Sequence, residues 1–128
     1  MAGRKNLIRP YKMLDSADLS ADAYSPATNV EKVDVISIQV DWAKSSTNPS
    51  GTLTVECQNG DGAWQTVSYG HTKGVLPTTS LSITVSGASG SNYFLLENCH
   101  FEKIRLFYDR TSGDGAMTAT LVAKTIGA

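Results

Sequence analysis

A chain of 128 residues with 11 basic and 12 acidic side chains carries a formal charge of −1. That length suits one domain and buries roughly two-thirds of its unfolded surface, enough for a core without metal or disulfide staples. Near-neutrality provides no global field to attract nucleic acid or a membrane surface, and no apolar run approaches the ~20 residues of a membrane helix.

The first thirty residues lack a sustained period and contain Pro10 and Pro26. Up to Lys12 they hold Arg4, Lys5, Arg9 and Lys12 and no acid, interleaved with Leu7, Ile8 and Tyr11; Met13 and Leu14 follow. Charge without an apolar h-region is not a secretory signal. We therefore expect residues 1–30 to form an extended N-terminal arm with a basic start, docked on its own domain, a sister subunit or another protein. A β-sandwich domain is expected over residues 31–128.

Alternation dominates from there on. Ile36, Ile38, Val40 and Trp42 alternate with Ser37, Gln39 and Asp41. Val33, Val35 and Ile36 break the period just upstream, as a bulge or strand entry does. Leu53, Val55 and Cys57 alternate with Thr52, Thr54 and Glu56, and Trp64 and Val67 flank a short strand running to Tyr69. Leu81, Ile83 and Val85 form the next strand, and Tyr93 to Leu96 a short apolar one. Ile104, Leu106 and Tyr108, then Met117, Ala119, Leu121 and Ala123, mark the last two. Each strand has one apolar face, the mark of antiparallel sheets with one side in water. Asn59-Gly60-Asp61-Gly62 and Ser112-Gly113-Asp114-Gly115 tolerate positive φ and read as hairpin turns, with a further turn at 48–51. Residues 87–92, GASGSN, read as a flexible loop. The expected fold is all-β: an antiparallel, jelly-roll-like β-sandwich of about seven to eight strands.

Catalytic templates find little support. A nucleophile–base pair needs a histidine, and there are two, His71 and His100. Cys99 and His100 are adjacent, so on a strand they point to opposite faces. Asp41 and Glu56 are read as sharing a solvent face, where acids are ordinarily just hydrated. Asn59, Asp61, Asp109 and Asp114 are oxygen donors near turns, but calcium needs about six to eight converging oxygens and these are also the usual turn residues. Cys57 and Cys99 lack metal-ligand spacing and read as reduced, buried residues, with a disulfide requiring two strands to bring them together. No catalytic residue, metal or cofactor is expected. Trp42 and Tyr108 fall in phase with the core. Phe107 is out of phase with Ile104, Leu106 and Tyr108, and an aromatic on a polar face is a candidate interface anchor.

Five stretches carry a resemblance: Ser25-Pro26-Ala27-Thr28, Ile38-Gln39-Val40-Asp41-Trp42, Gly51-Thr52-Leu53-Thr54-Val55, Asn59-Gly60-Asp61-Gly62-Ala63-Trp64, and Ile104 to Gly115, IRLFYDRTSGDG. Over residues 20–125 the chain resembles small β-sandwich structural proteins of tailed-phage virions, with an SPAT…IQxxW…NDGxW…RTSGxG pattern. Two departures stand out: the hairpin has one glycine more, and the 70–80 loop is long. The resemblance implies a non-enzymatic β-sandwich protein of the virion, often on the head; we expect it to be made in the host cytoplasm and located on the capsid surface. We expect a capsid decoration or cement protein that binds the outer face of the head in many copies. Its partners would be the major capsid protein and its own copies, as a trimer, and not nucleic acid, membrane or a small-molecule substrate. Arg4, Lys5, Leu7, Ile8, Arg9, Tyr11, Lys12 and Phe107 are the expected contact residues, and deleting residues 1–14 should abolish capsid binding while leaving the fold intact. Two alternatives are a tail, neck or baseplate component, and a carbohydrate-binding module using Trp64 and Tyr69.

Overall fold

The computed structural model describes residues 7–73, 80–97 and 99–125. Among them are eleven strands: β1 (Leu7–Asp18), β2 (Ala23–Tyr24), β3 (Thr28–Asn29), β4 (Val35–Ala43), β5 (Ser50–Gln58), β6 (Gln65–Thr66), β7 (His71–Thr72), β8 (Ser82–Val85), β9 (Ser89–Leu96), β10 (Lys103–Ser112) and β11 (Ala116–Lys124). All pairings are antiparallel. Most of them nest: β1 with β11, β2 and β3 with β10, β4 with β9, and β5 with β6 and β8. The chain is thus one long double ribbon whose tip is the turn at 59–62. Rolling that ribbon sets β11 beside β4 and β10 beside β5. The result is a jelly roll: one sheet in the order β1-β11-β4-β9-β7, the other β2-β10-β5-β6, with β3 also on β10 and β8 also on β5.

The strand period delivers the core directly. Ile36, Ile38, Val40 and Trp42 of β4 meet Leu53, Val55, Ile83, Phe94, Leu96, Ile104, Leu106, Tyr108, Met117 and Leu121 in one buried cluster. A fully buried side chain of this size stabilises by about 1.5–3 kcal/mol. β1 joins that core through Met13 and Leu14. The division at residue 30 therefore separates no structural unit: residues 7–18 of the expected arm are the edge strand of the sandwich. Removing residues 1–14 would strip Met13 and Leu14 from the core, so that deletion would cost the fold stability as well as any contact the arm makes. Leu7 and Ile8 pair with Lys124 and Ala123, while Arg4 and Lys5 lie outside the described residues.

Three local expectations are corrected. The segment 112–115 is not a hairpin turn, because β10 and β11 lie in different sheets. It is a crossing between sheets, fastened by Asp114, whose carboxylate accepts the amides of Ser46 and Thr47 at 2.8 Å each. Gly113 sits at φ 79° against the Asn48 carbonyl, leaving no room for a side chain. The tight hairpin expected at 59–62 is wider, since pairing resumes only at Cys57 with Gln65, and the strand expected over 63–69 shrinks to two residues. Finally, the glycine-serine segment is not free loop. β9 starts at Ser89, and Gly90 lies under the Trp42 ring, where any Cβ would collide. That glycine serves a close approach within the chain.

Candidate interaction surface

The outward residues of β10 and β5 alternate with the core ones. Register sets Arg105 opposite Glu56, Phe107 opposite Thr54 and, on the other side, Phe107 opposite Tyr24 of β2. Arg105 donates from Nε to Glu56 Oε1 at 2.7 Å, with the two side chains 23% and 15% exposed. Its guanidinium carbon lies 4.3 Å from the centre of the Tyr24 ring and 4.2 Å from that of Trp64. Tyr24 also stacks on Phe107, with centroids 4.5 Å apart and planes 23° apart. A continuous row results: Trp64, Arg105, Tyr24, Phe107, with Glu56 bonded to the arginine.

Local chemistry explains why each member is there. Trp64 arrives from the 59–62 turn, where Asn59 Oδ1 accepts the Glu102 amide and Gln58 Nε2 donates to the Gly62 carbonyl. Tyr24 is the last residue of β2, and residues 25–27 separate that strand from β3. Pro26 has no N–H to donate to β10, and Ser25 bridges that break: its amide donates to the Leu106 carbonyl at 2.9 Å and its hydroxyl accepts the Leu106 amide at 2.8 Å. Ser25 is consequently a buried polar residue with both groups matched.

Tyr24 is 55% exposed and the row opens to solvent. Aromatic rings around an arginine are the composition of binding hot spots: large contact area at small entropic cost, with donors to spare. One of the five arginine donors serves Glu56, so the charge is oriented but not saturated.

The remaining expected site residues are spread out. Tyr11 and Lys12 are exposed on edge strand β1, with Lys12 Nζ 3.5 Å from Asp15. Arg9 lies on the same strand. Phe107, on the other sheet, shares a surface with none of them in strand register. Trp64 engages Arg105, whereas Tyr69 packs 6.2 Å from Phe101, so the two rings have different partners. Sequence reasoning missed Tyr24, Arg105 and Glu56; the available signal was that Arg105 is in phase with Phe107.

The groups weighed against catalytic templates lie as follows. Asp41 and Glu56 lie on opposite sheets. His71 faces Glu97 at 3.4 Å. Cys57 and Cys99 are free and buried. Burial pushes both thiols up, helped for Cys57 by the proximity of Cys99. That is the reverse of what a nucleophilic thiolate requires.

The sheet edges are blunted. β1 contains Pro10 and three register shifts, and Ser16 at φ 53° kinks its end. The other edges are short: β7, β2, β3 and β6 have two residues each, and β8, beside β6 on β5, has four. Short or irregular edges of this kind are poor templates for strand addition.

No protein-family model matches the chain, and no curated protein matches it. Solved structures do. The chain is similar to the SPBc2 prophage-derived protein YomS, with a TM-score of 0.63 at 12% identity, covering 95% of this chain and 97% of that one. It is also similar to part of a chain of the infectious bursal disease virus Gx strain, with a TM-score of 0.55 at 11% identity, covering 98% of this chain but 33% of the viral one. The likeness is one of fold.

Proposed function

We propose that the protein is a non-enzymatic structural component of a tailed-phage particle. In this reading it is a decoration protein, bound to the outer face of the head in many copies and associated as trimers. The observation that carries the virion role is the end-to-end likeness to a prophage-derived protein of nearly the same extent, neither chain leaving a substantial part unmatched. The row Trp64, Arg105, Tyr24, Phe107 supplies the docking face, because the short or irregular edges are poor templates for strand addition. The major capsid protein would meet that row, and the basic start, Arg4 and Lys5 with Arg9 and Lys12, would meet acidic shell surface.

Copy number per purified particle, measured by quantitative mass spectrometry against the major shell protein, tests the reading. Hundreds of copies support a head coating. A few dozen or fewer move the protein to the neck, tail or baseplate. Absence from particles removes the virion role. The docking face is tested with Tyr24→Ser combined with Phe107→Ser: capsid binding is expected to fall while the circular dichroism spectrum is retained, and saturation of capsids by the double variant refutes the assignment.

A further inference from the structure

The outer face of the other sheet holds a groove. Register sets Gln39 of β4 between Thr120 of β11 and Tyr93 of β9. β7 ends with Thr72 opposite Phe94, which brings Lys73 level with Tyr93 on its far side. The Lys73 and Tyr93 amides both donate to Asn92 Oδ1, at 3.0 and 2.7 Å. This carboxamide ties the chain after β7 to β9 and stations Lys73 beside the tyrosine. Small residues, Ser37 and Ser91, flank the row and leave a concavity of about 410 Å3 lined by Ser37, Gln39, Lys73, Ser91, Asn92 and Tyr93. That volume is within the range of small-molecule sites, about 300–1,000 Å3.

The lining is specific in kind. It has one aromatic ring, 40% exposed, and otherwise hydroxyls, carboxamides and an ammonium. A purely apolar ligand would use the ring and leave the serine hydroxyls and the ammonium unanswered. A polyhydroxylated ring matches both: its C–H face lies on the tyrosine and its hydroxyls exchange hydrogen bonds with the amides and serines. Gln39 is already oriented, its Nε2 donating to Asp41 Oδ2 at 3.4 Å. Lys73 pairs with no carboxylate among the described residues. Its charge favours a ligand that brings one.

We propose that this groove binds a saccharide, a pyranose ring lying on Tyr93, with Lys73 selecting a sugar that carries a carboxylate. The assignment is independent of the virion reading, since it rests on a different sheet and different residues.

The test is an NMR titration of the isotope-labelled full chain with sodium glucuronate, methyl β-glucopyranoside and, as a control, sodium acetate. Both sugars are expected to shift resonances of residues 37, 39, 73 and 91–93, with glucuronate the tighter ligand. Lys73→Ala removes the preference for glucuronate and leaves the neutral glycoside unaffected. Tyr93→Ala and, separately, Gln39→Ala weaken both sugars, the tyrosine variant by about tenfold or more. Any of four results overturns the proposal: no shift with either sugar, equal shifts with acetate, shifts centred on residues 24, 64, 105 and 107, or unchanged binding by folded Tyr93→Ala and Gln39→Ala proteins.

Discussion

Replacing Arg105 with alanine tests whether the exposed row is rigid before any partner arrives. The side chain makes one charged hydrogen bond, to Glu56 at 2.7 Å, and contacts two rings at 4.3 and 4.2 Å. A hydrogen bond to a charged, partly buried partner contributes about 1.5–3 kcal/mol. Each cation–π contact adds about 0.5–1 kcal/mol at a half-exposed site. These terms overlap, and the expected loss is about 2–4 kcal/mol, a large part of the ~5–15 kcal/mol that stabilises an ordinary domain. Urea denaturation followed by tryptophan fluorescence measures it, with the midpoint falling and the slope unchanged. Arg105→Lys keeps the charge but loses the planar fork that stacks on rings and is expected to recover less than half of the loss. Combining Arg105→Ala with Glu56→Gln isolates the pair, with a coupling of about 1 kcal/mol or more. An Arg105→Ala protein within about 0.5 kcal/mol of the parent would refute the reasoning and reduce the row to unremarkable surface.

Four other outcomes follow from single features. Tyr108 is fully buried and its hydroxyl has no partner among the described residues, so Tyr108→Phe is expected to be neutral or stabilising by up to about 1 kcal/mol in the same urea assay. A methyl group on Gly90 would sit 2.6 Å from Trp42 Cε2, so Gly90→Ala should cost about 1–3 kcal/mol by thermal unfolding, with part regained in combination with Trp42→Phe. The Asp114 carboxyl is held below its ordinary 3.8 by the Thr47 and Ser46 amides, so its contribution is complete above that pH and is lost as pH falls through the lower folded-state value. Amide exchange at Ser46 and Thr47 should accelerate relative to other loop amides over that acidic window, and in Asp114→Ala it should be fast at every pH. Deleting residues 1–14 should lower stability by about 4 kcal/mol or more in the same urea assay, through loss of the buried Met13 and Leu14.

Sequence alternation is legible where one face is buried along an unbroken strand. Val40 and Trp42 in β4, Val55 in β5 and Leu106 in β10 announce their sheets because every second residue meets the same core. β1 is illegible for a physical reason: Pro10 and three register shifts destroy the period, so Met13 and Leu14 both turn inward although adjacent. The crossing at 112–115 misleads because its glycines and aspartate satisfy a hairpin equally well. Whether the next strand returns in the same sheet is decided by which strand is free to pair, and β5 already occupies the side of β10 opposite β2. Phe107 stood out as an out-of-phase aromatic, but its companions Tyr24 and Trp64 come from distant segments that only the rolled ribbon brings together.

The nested pairing also sets an order of events. Closing the tip at 59–62 involves a short loop, whereas joining β1 to β11 closes nearly the whole chain, so the ribbon zips from its tip and the two ends meet last. Until they meet, β11 presents a row of unpaired amides and carbonyls next to β4. A second copy's residues 7–18 fit that vacancy as well as the chain's own do. Refolding at high concentration therefore favours strand-exchanged copies, formed without any contact that the monomer lacks.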